Sequence, residues 1–83
     1  MNVNVRYFAS LREVLGAGES IALPERISVG ALRDLLIGRS AAHAQALARG
    51  RAIRAALDQT LCDEAALVRD GAEVAFFPPV TGG

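Results

Sequence analysis

Ala72-Glu73-Val74-Ala75-Phe76-Phe77 is a short, nearly continuous apolar run, and it ends against Pro78-Pro79. Such a run reads as a strand covered on both faces, the environment of a strand inside a sheet. Proline has no N–H to give to a sheet ladder, so pairing stops at Pro78. Asp70-Gly71, just before the run, is a turn signal. The rest of the fold must therefore supply neighbours for residues 72–77. Beyond the prolines lie only Val80-Thr81-Gly82-Gly83. The stretch from Pro79 to Gly83 spans at most about 16–18 Å when extended. Glycine lacks Cβ, so Gly82 and Gly83 make the thinnest and most adaptable peptide available. The chain reads as a folded domain over residues 1–79 with a flexible tail over 80–83. A rigid mount behind a thin tip suits a terminus that threads a narrow channel in another protein; the plain alternative is a tail that frays.

Upstream, Val3, Val5 and Tyr7 alternate with Asn4, Arg6 and Phe8, the period-2 pattern of a first strand. Phe8 then points away from the face of Val3 and Val5, unless it caps the core from the strand end. Ser10-Leu11-Arg12-Glu13 fits a capping box. Leu11, Val14 and Leu15 form the buried stripe of that helix, and Gly16 and Gly18 its stop. Residues 20–23, closed by Pro24, read as a second strand with Ile21 and Leu23 on one face. Ser28 is an N-cap candidate for the main helix, whose buried face is Val29, Leu32, Leu35 and Leu36 and which runs to about Ile37. Gly30 costs that helix up to ~1 kcal/mol against alanine. The alanine-rich stretch around His43 predicts a short surface helix. Ile53, Ala55 and Leu57 give a third strand, Asp58-Gln59 a turn and Thr60-Leu61-Cys62 a fourth strand. Residues 64–68 read as one helical turn. This order predicts an α+β fold of the β-grasp (ubiquitin-like) kind. It is a mixed sheet of about five strands on one main helix with short additional helices, its last strand inside the sheet and parallel to the first.

Eighty-three residues make one domain, near the lower end of what one apolar core stabilises. The 52% hydrophobic content is inflated by alanine, and only four aromatic residues add bulk. Nine arginines and no lysine balance nine acidic residues. A neutral chain without a basic run argues against nucleic acid as a partner. Arg49, Arg51 and Arg54 form a modest cluster that reads as a solvated loop. No apolar segment is long enough to cross a bilayer, and no signal-peptide pattern opens the chain. One cysteine makes no internal disulfide, so the expected setting is the reducing cytoplasm, away from membranes.

The sequence shows no serine or cysteine nucleophile beside a base, no phosphate-cradling loop and no metal-ligand spacing. Gly16-Ala17-Gly18 is a helix stop. His43, the only histidine, has no His, Cys, Asp or Glu near it in sequence and reads as a solvated helix residue. Cys62 reads as a small strand residue. A chain of this kind is not a self-contained enzyme, which leaves the main-chain carboxylate of Gly83 as the group to consider.

Asp70-Gly71-Ala72-Glu73-Val74-Ala75-Phe76-Phe77-Pro78-Pro79-Val80-Thr81-Gly82-Gly83 strongly resembles the C-terminus of the small subunit of molybdopterin synthase, a ubiquitin-like sulfur-carrier family. The likeness extends over the whole chain and is weakest between about residues 38 and 52. It implies that Gly83, preceded by Gly82, is adenylated with ATP on an E1-like adenylyltransferase and converted to a thiocarboxylate by a sulfur donor protein. The chain itself would hold no cofactor and no metal. The sulfur would pass to a cyclic pyranopterin phosphate on the large subunit, in a heterotetramer of two small and two large subunits. The resemblance assigns partner binding to an apolar patch of Phe8, Leu61 and Phe77, and to Pro78, Pro79, Val80 and Thr81 along the tail. Ala72 departs from the family, which often carries an acidic residue there. Three other readings stand beside this one. They are a thiocarboxylate carrier of another pathway, such as the thiamine type; a protein modifier joined to lysines through Gly83; and a β-grasp interaction module with an inert tail.

Overall fold

The computed structural model describes residues 1–79, so the expectations for Val80, Thr81, Gly82 and Gly83 lie outside the described residues. Five strands and three helices follow one another: β1 (Asn2–Tyr7), α1 (Ser10–Leu15), β2 (Gly18–Ala22), α2 (Val29–Ile37), α3 (Ala41–Leu47), β3 (Arg54–Leu57), β4 (Thr60–Cys62) and β5 (Glu73–Phe77). The sheet order is β2-β1-β5-β3-β4. As the sequence predicts, β5 lies in the centre, parallel to β1 and antiparallel to β3. One sheet face packs on the helices. There Val3, Val5, Tyr7, Ile21, Val74 and Phe76 meet Val29, Leu32 and Leu36 in a single core.

Alternation places these side chains, and turn chemistry closes the strands. Asp58 and Gln59 both have positive φ (49° and 70°), the backbone of a two-residue hairpin turn between β3 and β4. Gly71 has φ 81°, and Asp70 Oδ1 accepts from the Asn2 amide at 2.7 Å, fastening the start of β5 to the start of β1. Gly18 is required where β2 crosses β1, because a Cβ there would overlap the Val5 carbonyl oxygen.

Some local readings need correction. The capping box at Ser10 and Glu13 does not form. The sheet continues through the Phe8 amide to Phe76 O, and the chain turns at Ala9 (φ 54°, ψ −129°), so Ser10 already lies inside the first turn. Only Leu11 of that helix is fully buried, and Val14 is exposed. Leu35 lies on the exposed flank of α2, and the buried face carries Arg33 instead. Residues 64–68 are not helical. Their carbonyls turn outward to the first turn of α2, where Glu64 O accepts from Gly30 N and Ala66 O from Val29 N, both at 2.9 Å. Ser28 caps the next amide, Ala31 N, as expected (3.1 Å). The amides at the start of α2 are thus satisfied by a neighbouring segment. Gly30 permits that approach, since a Cβ would sit 3.0–3.3 Å from Glu64 atoms.

Arg33 organises the stretch the sequence leaves least readable. It is 4% exposed. Its guanidinium donates to the carbonyls of Leu47 (2.9 Å), Ala48 (2.7 Å) and Arg51 (3.1 Å), and to Glu64 Oε2 (2.9 Å). The orphan carbonyls after α3 therefore find their partner in α2. Leu47 and Ala46 are fully buried, so α3 is a packed helix and not a surface one. Arg49 is exposed, as the sequence reading has it, but it is also paired. It donates to Asp34 Oδ1 (2.8 Å), to Gly30 O (3.0 Å) and to Glu64 Oε1. Hydrogen bonds from Arg49, joined at Glu64 by Arg33, hold the Asp34 and Glu64 carboxyls below the usual range. Arg51 donates to Gln45 O, and Arg54 lies apart on β3.

Replacing Arg33 removes the side-chain donor to the Leu47 and Arg51 carbonyls, one of two donors to Ala48 O and one of two guanidinium groups on Glu64. Arg33→Ala is therefore expected to lose about 3 kcal/mol of unfolding free energy in urea titrations. Arg33→Lys, which cannot reproduce the planar fork, should recover only part of it. A loss below about 1 kcal/mol for Arg33→Ala would contradict this role.

Candidate functional site

The sheet face opposite the helices is uncovered, and register arranges its side chains in rows across the strands. Ala56 on β3 lies opposite Leu61 on β4 and Ala75 on β5, and Ala75 opposite Arg6 on β1. One row nearer the C-terminus, Arg54 lies opposite Phe77, with Phe8 just past the end of β1. Cross-strand partners share a face. Ala56 and Ala75, too small to fill the space, form the floor of an apolar groove of about 590 Å³. Phe8, Phe77, Pro78 and Pro79 are among its walls.

The structure brings Phe8, Leu61 and Phe77 to this one face. Phe8 is 39% and Leu61 65% exposed, and Phe77 is half-buried. Phe8 does not cap the core; Tyr7 occupies that position. Leu61 sits across from Ala56 at the outer edge of the patch. The Arg6 guanidinium lies 5.8 Å from the Phe8 ring centre and helps hold the ring at the groove. Pro78 is half-buried and Pro79 exposed, so the chain leaves the sheet centre beside the groove. Val80, Thr81, Gly82 and Gly83 lie outside the described residues.

A second cluster, on the helix side, escaped the sequence. His43 is not a solvated residue. Its Nε2 lies 2.7 Å from Glu19 Oε2 and its Nδ1 2.7 Å from Ser40 Oγ, while Tyr7 Oη donates to the same Glu19 oxygen at 2.7 Å. A carboxylate only accepts, so Nε2 carries the hydrogen of the His43–Glu19 contact. A serine does therefore stand beside a base, contrary to the sequence reading. Ser40 Oγ is engaged as the N-cap of α3, however, accepting from His43 N at 3.1 Å. The residues that meet here are far apart in sequence, and only strand pairing with α3 packing joins them. Burial and the Glu19 hydrogen bond push the Tyr7 phenol far up. Burial alone would raise Glu19, but its bonds from His43 and Tyr7, with the nearby charges, outweigh that and hold its carboxyl low. Burial raises the Cys62 thiol, helped by Asp63, so this cysteine is not activated. Among the described residues no group of three or more His, Cys, Asp or Glu side chains is placed to hold a metal ion. No helix among them is long and apolar enough to cross a membrane.

Comparison with known proteins agrees with this architecture. The model of the ThiS family matches residues 5–83. The chain belongs to the ThiS family. It is 41% identical over 81 residues to the molybdopterin synthase sulfur carrier subunit of Escherichia coli, covering 98% of this chain and 99% of that one. Among solved structures, SAMP1 from Haloferax volcanii superposes with a TM-score of 0.76 at 27% identity over the full length of both chains. The complex of subunits 1 and 2 of the molybdopterin-converting factor from Helicobacter pylori contains a chain matched at TM-score 0.69 and 25% identity, again over the full length of both. The β-grasp assignment thus holds as a family property, and the family match spans both the apolar face and the Gly-Gly end.

Two expectations follow from these environments. Phe76 is a fully buried core ring and Phe77 a groove wall. Phe76→Ala should cost about 3–5 kcal/mol of stability, and Phe77→Ala clearly less, in paired denaturant titrations. If Phe77→Ala unfolds the domain, Phe77 is core and the groove is misassigned. Glu19 has a depressed folded pKa, so its contribution is present above the ordinary glutamate range and is lost as pH falls through the folded value. The stability gap between wild type and Glu19→Gln should therefore close on acidification, as followed by thermal melts across pH. A gap that widens would contradict the assignment.

Proposed function

We propose that this chain is the sulfur carrier subunit of molybdopterin synthase, its reactive group the terminal carboxylate of Gly83. The observation that carries the reading is the 41% identity to a sulfur carrier subunit of that enzyme across nearly the whole of both chains. The structure supports it through placement. A central strand delivers Pro78 and Pro79 beside an apolar groove that suits docking, so a tail of fixed origin can reach into a partner.

The chemistry follows from the carboxylate. Expelling oxide from it is unfavourable, so it is a poor acyl donor. Reaction with ATP on an E1-like adenylyltransferase joins Gly83 to AMP and releases pyrophosphate. Hydrosulfide released by a donor protein then adds to the acyl carbon and expels AMP, which leaves a thiocarboxylate. ATP is held by that enzyme, and the carrier itself holds no cofactor. On the large subunit, sulfur passes to a cyclic pyranopterin phosphate. Two carriers each supply one sulfur of the dithiolene, which accounts for an assembly of two small and two large subunits. The carrier contributes Phe8, Leu61 and Phe77 for docking, and Pro78, Pro79, Val80 and Thr81 for reach. Gly82 fits the narrowest part of the channel, and Gly83 presents the reacting carbon.

Turnover of the pyranopterin should appear only when the thiocarboxylated chain is combined with the large subunit. Conversion by the thiocarboxylated chain alone would contradict the proposal. Deleting Gly83, or adding one residue after it, moves the acyl carbon by about 3.3–3.6 Å. Since a misplacement near 1 Å can cost about 100-fold in rate, both changes should abolish product formation while leaving the melting temperature unchanged. Gly82→Val should fail in the same way. Wild-type product yield from any of the three would overturn Gly83 as the reacting residue. Recovery of the chain on lysines of other proteins would favour the modifier reading instead.

A further inference from the structure

The open face is polar along the strand direction as well as apolar in its middle. At the tail end stand Arg54, opposite Phe77, and Arg6, opposite Ala75 and over the Phe8 ring. At the other end stand Glu73 and Asp58, with Asp70 beyond them at the start of β1. The Asp58 carboxylate is fixed there by the Glu73 amide at 2.9 Å. Three residues, 55–57, separate Arg54 from Asp58, four steps spanning roughly 13 Å, so these two charges lie farther apart than the screening length at physiological salt. Arg33, Arg39 and Arg49 each lie against a carboxylate of this chain. Arg6 and Arg54 do not, among the described residues. Their charges are therefore available to a partner.

We infer that Arg6 and Arg54 dock against carboxylates on the large subunit, beside the mouth that receives the tail, and so fix the rotational setting of the complex. This rests on the function proposed above and goes beyond it. The centre of the patch is a shallow floor of two alanines, which buries area but gives little preference for one rotation over another. The tail demands such a preference, because it follows Pro78 and Pro79 at one end of β5 and so enters a partner from one side of the patch. A cationic tail end and an anionic far end supply it: reversed docking would bring like charges together. The chain has zero net charge, so any electrostatic steering must come from this local polarity and not from the molecule as a whole.

The test is the association rate of the full chain with the large subunit, by stopped flow, at low and high salt. Three chains are compared: wild type, Arg6→Glu/Arg54→Glu, and Arg6→Gln/Arg54→Gln. Both side chains are exposed, so equal melting temperatures establish that all three are folded. Wild-type association should slow as salt rises, the glutamine pair should be slower and nearly salt-independent, and the glutamate pair should be at least about tenfold slower than wild type at low salt. A glutamate pair that associates at the wild-type rate overturns the inference. So does one slowed equally at all salt concentrations, since that would be lost packing. Binding by wild type with no dependence on either arginine removes the inference alone; no binding by wild type removes the proposed function with it.

Discussion

The parallel pairing of β5 with β1 is the contact on which the rest of the molecule depends. It joins residues 73–76 to residues 4–7 and lets β3 pair along the other edge of β5. Alternation then sends Val74 and Phe76 into the core and Ala75 and Phe77 to the open face. A slip of one residue would send Ala75 and Phe77 into the core and Val74 and Phe76 to the open face, thinning the core and filling the groove floor. The register that packs the core is thus the register that sets where Pro78 leaves the sheet.

The two faces divide the physical work. The open face carries the small floor, the aromatic walls and the unpaired guanidinium groups. The helix side carries the polar clusters: Arg33 and Arg49 with Glu64 and Asp34, and Tyr7, Glu19, His43 and Ser40 around α3. A domain of this size, rich in alanine, has little apolar bulk with which to fix its connections. Satisfied hydrogen-bond networks fix them instead, tying α3 and residues 48–51 to α2. Arg33 is the common donor, reaching the carbonyls of Leu47, Ala48 and Arg51 from one guanidinium.

What the sequence made legible was periodic or punctuated. The alternation of Val3, Val5 and Tyr7, the Ser28 cap, the Asp58-Gln59 and Asp70-Gly71 turns and the Pro78 stop all act within a few residues. The fold class follows from them, whereas the apolar face of Phe8, Leu61 and Phe77 came from the family resemblance. What stayed hidden depends on partners distant in sequence. Arg33 lies on a helix face where a leucine pattern pointed to Leu35, and only the carbonyls of residues 47, 48 and 51 explain its burial. His43 has no acidic neighbour in sequence, yet strand pairing brings Glu19 to it. Residues 64–68 have the composition of a helical turn, but their carbonyls are drawn to the amides that start α2. The charge polarity of the open face was likewise invisible until register placed Arg6 and Arg54 at one end.

The central claim is that this domain exists to present one main-chain carboxylate to other proteins. Intact-mass measurement of the chain after incubation with an E1-like adenylyltransferase, ATP and a sulfur donor tests it directly. The account predicts a single gain equal to the exchange of one oxygen for sulfur, located by fragmentation at Gly83 and absent when ATP is withheld. An unchanged mass under those conditions, or a sulfur found on Cys62 in place of Gly83, would contradict it.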